Sequence, residues 1–283
     1  MPINPIQLYD DTSFKISGVV TKNYSTSFSM ATRLLNKEQR DAIYAVYGFV
    51  RLADEIVDTF HQYPKKQLLD KLEHDTYESL KLGISTNPIL HSFQWVVNYF
   101  DIPHKYIEAF ITSMKADLEK KEYATTQQAN EYIYGSAEVV GLICLKIFTN
   151  GNNALFDDLQ ISAMKLGSTF QKVNFLRDLK YDSIELGRTY FPQINGHSFD
   201  EDCKCSIITD IEQECNEAFE GIKRLPAESR FAVLTAYYYY KVLLMKLKKT
   251  PAEKILESRI RISNFNKLLL LIKAKLACEF KLF

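Results

Sequence analysis

Residues 42–60 read "AIYAVYGFVRLADEIVDTF", a run that looks buried yet carries carboxylates toward its end. Asn36 followed three residues on by Gln39 forms a capping box, which starts a helix just ahead of the run. At about 100° per residue from Ile43, the side chains of Val46, Tyr47 and Val50 lie within about 60°, and Asp54 and Asp58 fall on the same stripe. Glu55 points further aside. Phe49, Leu52 and Ile56 occupy the opposite side, so the helix is apolar nearly all round, as a buried helix is. Like charges at i and i+4 repel, and a buried carboxylate without a partner costs several kcal/mol. An inward pair of this kind is a place for a divalent cation.

The same oddity recurs in "GSTFQKVNFLRDLKYDSIELGRTYFP", residues 167–192. From Asp178, the residues Asp182, Gln171, Asn174 and Gly167 all lie within about 40°. Lys172 and Lys180 point elsewhere, although a solvated face would mix lysine into the stripe. Either pair alone reads more readily as an exposed helix end. Two inward pairs, each beside an arginine (Arg51 and Arg177), point to a shared site. Oxygen-only carboxylate ligands suit Mg²⁺, which prefers a few carboxylates plus substrate phosphate to a full protein cage. Arginine suits the remaining phosphate oxygens. With 17 Tyr and 18 Phe, the remainder has the ring faces to enclose an apolar tail and stabilise a carbocation. The chemistry this describes is metal-assisted ionisation of an allylic diphosphate in a dry cavity.

Composition sets outer bounds. The 35 basic side chains balance 35 acidic ones, which leaves no overall footprint for nucleic acid. The five cysteines (Cys144, Cys203, Cys205, Cys215 and Cys278) have no metal-ligand spacing and read as reduced cytosolic thiols. The N-terminus lacks the pattern of a signal peptide, and no run reaches the ~18 uninterrupted apolar residues of a membrane span. The segment "LLLLIKAKLACEF", 268–280, reads as an amphipathic helix that packs on its own protein or touches a membrane surface. Helix periodicity dominates, with breaks near "DTFHQYPKK", "GISTNP", "FDIPHK", "TNGNN", "FPQINGHSFDEDCK" and "KKTPAEK". They delimit eight to ten helices of one all-α domain spanning residues 1–283.

Taken together, the motifs resemble the squalene/phytoene synthase family, the head-to-head prenyltransferases, from about Tyr24 to Leu271. "FVRLADEIVD" resembles its first aspartate-rich motif and "FQKVNFLRDLKYDSIELGRTYFP" its second. "YSTSFSMATRLL" resembles its serine-rich phosphate contact, "YIYGSAEVVG" the tyrosine-bearing segment lining the site, and "RIRISNFNKLLLL" its basic C-terminal segment. The resemblance is strongest to bacterial phytoene synthases. It implies a single helical bundle of the isoprenoid synthase type around a central apolar cavity. It further implies that Asp54, Asp58, Asp178 and Asp182, with Asn174, hold two or three Mg²⁺ ions, Mn²⁺ being the other candidate. By the same resemblance, Ser25, Ser27, Arg51, Arg177, Arg188 and Arg261 contact diphosphate and Gln171 a tunnel. Tyr47, Tyr134, Tyr190 and Tyr240 border the reacting carbons, although residues 237–240 are all tyrosine.

Three positions depart from the family pattern: Glu55 follows Asp54 where a second aspartate is usual, Tyr181 precedes Asp182 where a carboxylate is common, and Glu138 replaces a glycine. The implied reaction joins two geranylgeranyl diphosphates to phytoene through a cyclopropyl-carbinyl diphosphate, with Ala31 and Thr32 leaving room for a long tail. Dehydrosqualene or squalene formation from farnesyl diphosphate is the alternative. No nicotinamide-binding fingerprint is present, so NADPH is not expected. A chain-elongating prenyl diphosphate synthase, a cyclising terpene synthase and a non-catalytic helical scaffold remain as competing readings. The scaffold requires the inward aspartates to be salt-bridged. Prenyl diphosphates are the expected partners, with no obligate protein partner, and the expected location is cytoplasmic with peripheral contact to the inner face of the membrane.

Overall fold

The computed structural model describes residues 4–194 and 198–280. Among them are thirteen α-helices and no strand; a lone bridge joins Glu122 and Thr189. The helices are α1 (Pro5–Tyr24), α2 (Thr26–Thr32), α3 (Lys37–Asp58), α4 (Lys65–Leu82), α5 (Pro88–Tyr99), α6 (His104–Glu119) and α7 (Thr126–Ile133). A π-helical turn (Tyr134–Glu138) leads into α8 (Val139–Thr149), then come α9 (Asn153–Ile184), α10 (Glu201–Arg224), α11 (Ala227–Lys249), α12 (Ala252–Glu257) and α13 (Asn264–Phe280).

Every break expected from the sequence separates two helices, although residues 195–197 of one lie outside the described residues. The reasons are local. Gly83 closes α4 in the left-handed region at φ 70°, where a Cβ would be strained. Asn87, Asn152 and Asp200 cap α5, α9 and α10 by accepting from backbone N–H groups at 2.9–3.0 Å. The helix count exceeds the expected eight to ten because further breaks arise, one at Pro226 and others without glycine or proline. At one of them Ser25 turns extended between α1 and α2 and accepts from Phe28 N at 3.2 Å. The capping box of α3 is half formed: Asn36 accepts from Gln39 N at 2.9 Å, but Gln39 Oε1 is buried without a partner.

Helix α3 is buried on most of its circumference, with Phe49 stacked on Phe93 of α5 at 4.0 Å between ring centroids. The 32-residue α9, about 48 Å long, contributes to the core along its length and packs on α8, α10, α11 and α12. Where it meets the α8 region the backbones touch. A Cβ on Gly167 would lie 2.5 Å from the Ala137 carbonyl oxygen, and one on Gly141 would lie 2.6 Å from that of Ala163. Residues 126–149 form the one described helical run long and apolar enough to cross a membrane, but half of that window is buried within the protein, which marks it as a core element.

Replacing Gly167 with Val should therefore destabilise the fold by about 2 kcal/mol or more. The urea-unfolding midpoint measures it; an unchanged midpoint would show that the helix contact is looser than these distances require.

Candidate active site

Between α2, α3, α8, α9, α10 and α11 lies a cavity of about 310 Å³, walled almost wholly by apolar groups. Ile43, Val46, Tyr47 and Val50 of the α3 stripe face it, as do Gly167, Phe170 and Gln171 of the α9 stripe. Ala31 and Thr32 line it too. Two stacked ring pairs stand at the wall: Phe28 on Tyr47 at 4.9 Å, and Phe170 on Tyr240 at 3.9 Å. Gln171 Nε2 donates to Ser136 Oγ at 3.4 Å, and the Tyr240 hydroxyl donates to Asn174 Oδ1 at 3.4 Å. Of the four consecutive tyrosines, Tyr240 reaches the site, while Tyr237 packs on Phe219 at 5.0 Å.

One to three turns beyond Val50 and Gln171, the same stripes carry the four aspartates. Both pairs sit in the last two turns of their helices, where the helix dipole adds to the negative potential. The Asp182 carboxyl is pushed up to about 7, by burial first, then by Asp178, then by Asp58 on the facing helix. Asp54 is also pushed up to about 7, by burial and then by Asp58, with Arg51 opposing. Asp58 and Asp182, one from each pair, therefore repel across the two helices.

Arginines answer half of this charge. Arg188 Nη1 donates to Asp58 Oδ1 at 2.7 Å. Asp178 accepts from Arg177 Nε at 3.0 Å and from two atoms of Arg259, Nε at 2.6 Å and Nη2 at 3.0 Å. Among the described residues, Asp54 and Asp182 have no ion-pair partner within 4.0 Å. Arg51 pairs with Glu55, stacks over the Tyr24 ring at 4.3 Å, and keeps a buried Nε with no partner. Tyr47, beside Ser25, has its hydroxyl pushed up to about 12, chiefly by burial.

Behind Arg188 is a support that the sequence reading missed. Arg188 Nη2 donates to the Asp117 carbonyl at 3.1 Å, and the Asp117 carboxylate accepts from Tyr132 at 2.6 Å and Tyr123 at 3.4 Å. Tyr190 stacks on Phe175 at 4.0 Å and lies 3.5 Å from Arg188 Nη1. Burial pushes the Asp117 carboxyl up to about 7 against the pull of Arg188 and Tyr132. A signal existed: Asp117 continues the Ile107–Phe110–Met114 stripe of α6 just as Asp54 continues that of α3.

Three expected residues stand apart. Arg261 is exposed between α12 and α13, and Arg259 takes the place expected of it. Ser27 is half-buried on α2, and no side-chain hydrogen bond reaches it among the described residues. Tyr134 does not line the cavity; it opens into a separate cleft with Glu138, Lys165 and Glu214. The π turn that begins at Tyr134 shifts the helical register there, so Ser136, Ala137 and Val140 face the cavity instead.

The oxygen donors of Asp54, Asp58, Asp178, Asp182 and Asn174 fit a hard divalent cation, as does the uncompensated repulsion between the pairs. Among the described residues no three His, Cys, Asp or Glu side chains gather tightly enough to hold a metal unaided. A cation here would take its remaining ligands from water or a ligand phosphate.

The cleft also accounts for Glu138. Glu214 accepts from Lys165 at 3.1 Å, Lys172 at 2.9 Å and Ser168 at 2.7 Å. Glu138 is left half-buried, and its carboxyl is pushed up to about 6 by burial and then by Glu214. A carboxyl raised in the folded state costs stability when ionised, so the penalty is full above about pH 6 and vanishes below the unfolded value. Glu138→Gln should raise the melting temperature at pH 8, by up to about 1 kcal/mol of stability, and leave it unchanged at pH 4. A gain that did not depend on pH would place its cause outside this titration.

Residues 21–200 match the family model for squalene/phytoene synthase. A 15-cis-phytoene synthase from Enterobacter agglomerans is 26% identical over 275 residues, 88% of this chain and 90% of that protein. A 4,4'-diapophytoene synthase from Staphylococcus haemolyticus is 27% identical over 69% of this chain and 66% of its own length. Chloroplastic phytoene synthase 1 from Solanum lycopersicum is 28% identical over 80% of this chain, which spans only 59% of that protein. Among solved structures, a ligand-bound dehydrosqualene synthase superposes with a TM-score of 0.83 at 23% identity, covering 99% of this chain and 100% of that one. That likeness establishes the isoprenoid synthase fold. With the family model matching well over half its length, the chain belongs to the squalene/phytoene synthase family.

Proposed function

We propose that this protein is a phytoene synthase, joining two geranylgeranyl diphosphates head to head. The observation that carries the reading is the pair of facing carboxylate pairs at the end of an apolar cavity, with Asp54 and Asp182 unpaired and Arg51 Nε buried without a partner. A scaffold would need all four aspartates salt-bridged, and among the described residues only Asp58 and Asp178 are. The family relatives include a phytoene synthase and a diapophytoene synthase, which supports the reaction class. The small Ala31 and Thr32 at the wall favour the longer tail.

Bound Mg²⁺, with Mn²⁺ as substitute, would supply charge neutralisation to the departing diphosphate. The residues named here do the rest. Asp54, Asp58, Asn174, Asp178 and Asp182 would hold the cations, and Arg51, Arg177 and Arg259 offer donors to phosphate oxygens. Loss of the first diphosphate leaves an allylic cation, and the double bond of the second substrate attacks it. Proton loss then gives the cyclopropyl-carbinyl diphosphate. This intermediate ionises in turn, rearranges and loses a second proton, so each turnover releases two diphosphates and two protons. Tyr47 and Tyr240 present ring faces beside the cavity, where a cation is favoured. The apolar wall excludes the water that would quench it. A reaction that ends in proton loss needs no reductant.

Incubation with geranylgeranyl diphosphate should give phytoene with or without NADPH, and activity should vanish with chelator and return with Mg²⁺. Exclusive use of farnesyl diphosphate would move the assignment to dehydrosqualene, and NADPH-dependent squalene would overturn the proton-loss ending. Asp182→Asn and Arg51→Lys should each slow turnover by about 10²-fold with the helical circular dichroism retained. Wild-type rates in both would place these two side chains outside the catalytic machinery.

A further inference from the structure

Helix α13 has two faces of different fate. Leu270, Ala274 and Ala277 are buried against α11 and α10, in a cluster with Leu234, Tyr238 and Cys215. The other face carries Phe265, Leu268, Leu269, Ile272, Leu276 and Phe280, each between 45% and 68% exposed. At about 100° per residue these six fall within about 60° of one line, so they form a continuous apolar stripe about 24 Å long. A soluble surface rarely leaves so much aligned apolar area uncovered.

The rim of the stripe is basic. Lys273 and Lys275 project about 80° to either side of it, Lys273 over the Tyr238 ring at 4.7 Å and Lys275 at 3.7 Å from Glu279. The helix carries Lys267, Lys273 and Lys275 against the single acid Glu279. A helix of 17 residues with three lysines is too short and too charged to span a bilayer. An apolar stripe flanked by lysine is instead the pattern of a helix lying in the headgroup plane of an anionic membrane. Position fits as well. Lys267 Nζ reaches Thr26 Oγ1 at 3.4 Å, at the start of α2, so the stripe begins beside the site. Helix α11 lies between α13 and the cavity: Ala232, Val233 and Ala236 face the cavity, while Leu234 and Tyr238 pack in the α13 cluster.

We propose that the exposed face of α13 docks this protein on a bilayer containing anionic phospholipid. The proposal does not depend on the reaction assigned above, because docking is read without substrate. The purified full chain should float with phosphatidylcholine vesicles that include phosphatidylglycerol, and bind vesicles of phosphatidylcholine alone about tenfold less. The double change Ile272→Ser and Leu276→Ser alters exposed positions only, so the melting temperature should hold while vesicle binding falls by about tenfold or more. Lys273→Glu with Lys275→Glu should abolish the preference for phosphatidylglycerol. Binding that survives the serine changes, or that ignores phosphatidylglycerol, overturns the proposal. So does a concentration-dependent dimer that the serine changes dissolve while no vesicle binding is seen, since the stripe would then cover a second copy of the chain.

Discussion

Carboxylates placed on the buried stripes of two facing helices repel one another, and that repulsion is strongest where the helices end. The last two turns of α3 and α9 hold Asp54, Asp58, Asp178 and Asp182, with the negative ends of both helix dipoles behind them. Much of the surrounding structure is a response. Arg188, propped by the Asp117 carbonyl and Tyr190, neutralises Asp58, and Arg177 with Arg259 neutralises Asp178. The remaining two carboxylates are left to whatever cation the site takes up, which is why a polar site persists at the end of a cavity this apolar.

The division of labour along each helix follows from period alone. In α3 the stripe runs from Ile43 and Val50 at the cavity to Asp54 and Asp58 beyond it, and in α9 from Gly167 and Gln171 to Asp178 and Asp182. One rigid element thus carries both the apolar wall and the charged end, and their spacing is fixed by the rise of the helix rather than by loops. Placing a site on helices in this way holds its geometry more tightly than loop positions do.

This regularity made most of the fold and the aspartates legible in the sequence, because a 100° phase needs no tertiary knowledge. Asp117 was legible by the same test on α6. Tyr134, which the resemblance sets beside the reacting carbons, opens into the Glu138 cleft, and a π turn that changes the register at that point leaves no trace in the sequence periodicity. Arg259 and Arg261 lie two residues apart in the irregular segment between α12 and α13, and only the tertiary fold selects which one meets Asp178. Glu138 was unreadable for a different reason: its neighbours Lys165 and Glu214 lie on other helices.

The glycine contacts between α8 and α9 bear on how chains of this type can diversify. Along that seam backbone meets backbone, and even one added carbon is rejected at Gly167 or Gly141. Opposite the seam, Ala31 of α2 and Ala232 and Ala236 of α11 present short side chains to the same cavity. Selection for a new tail length therefore has one unyielding wall and one permissive wall to work with. A larger side chain at Ala31, Ala232 or Ala236 would grow into the cavity itself, leaving the backbone seam that holds α9 untouched.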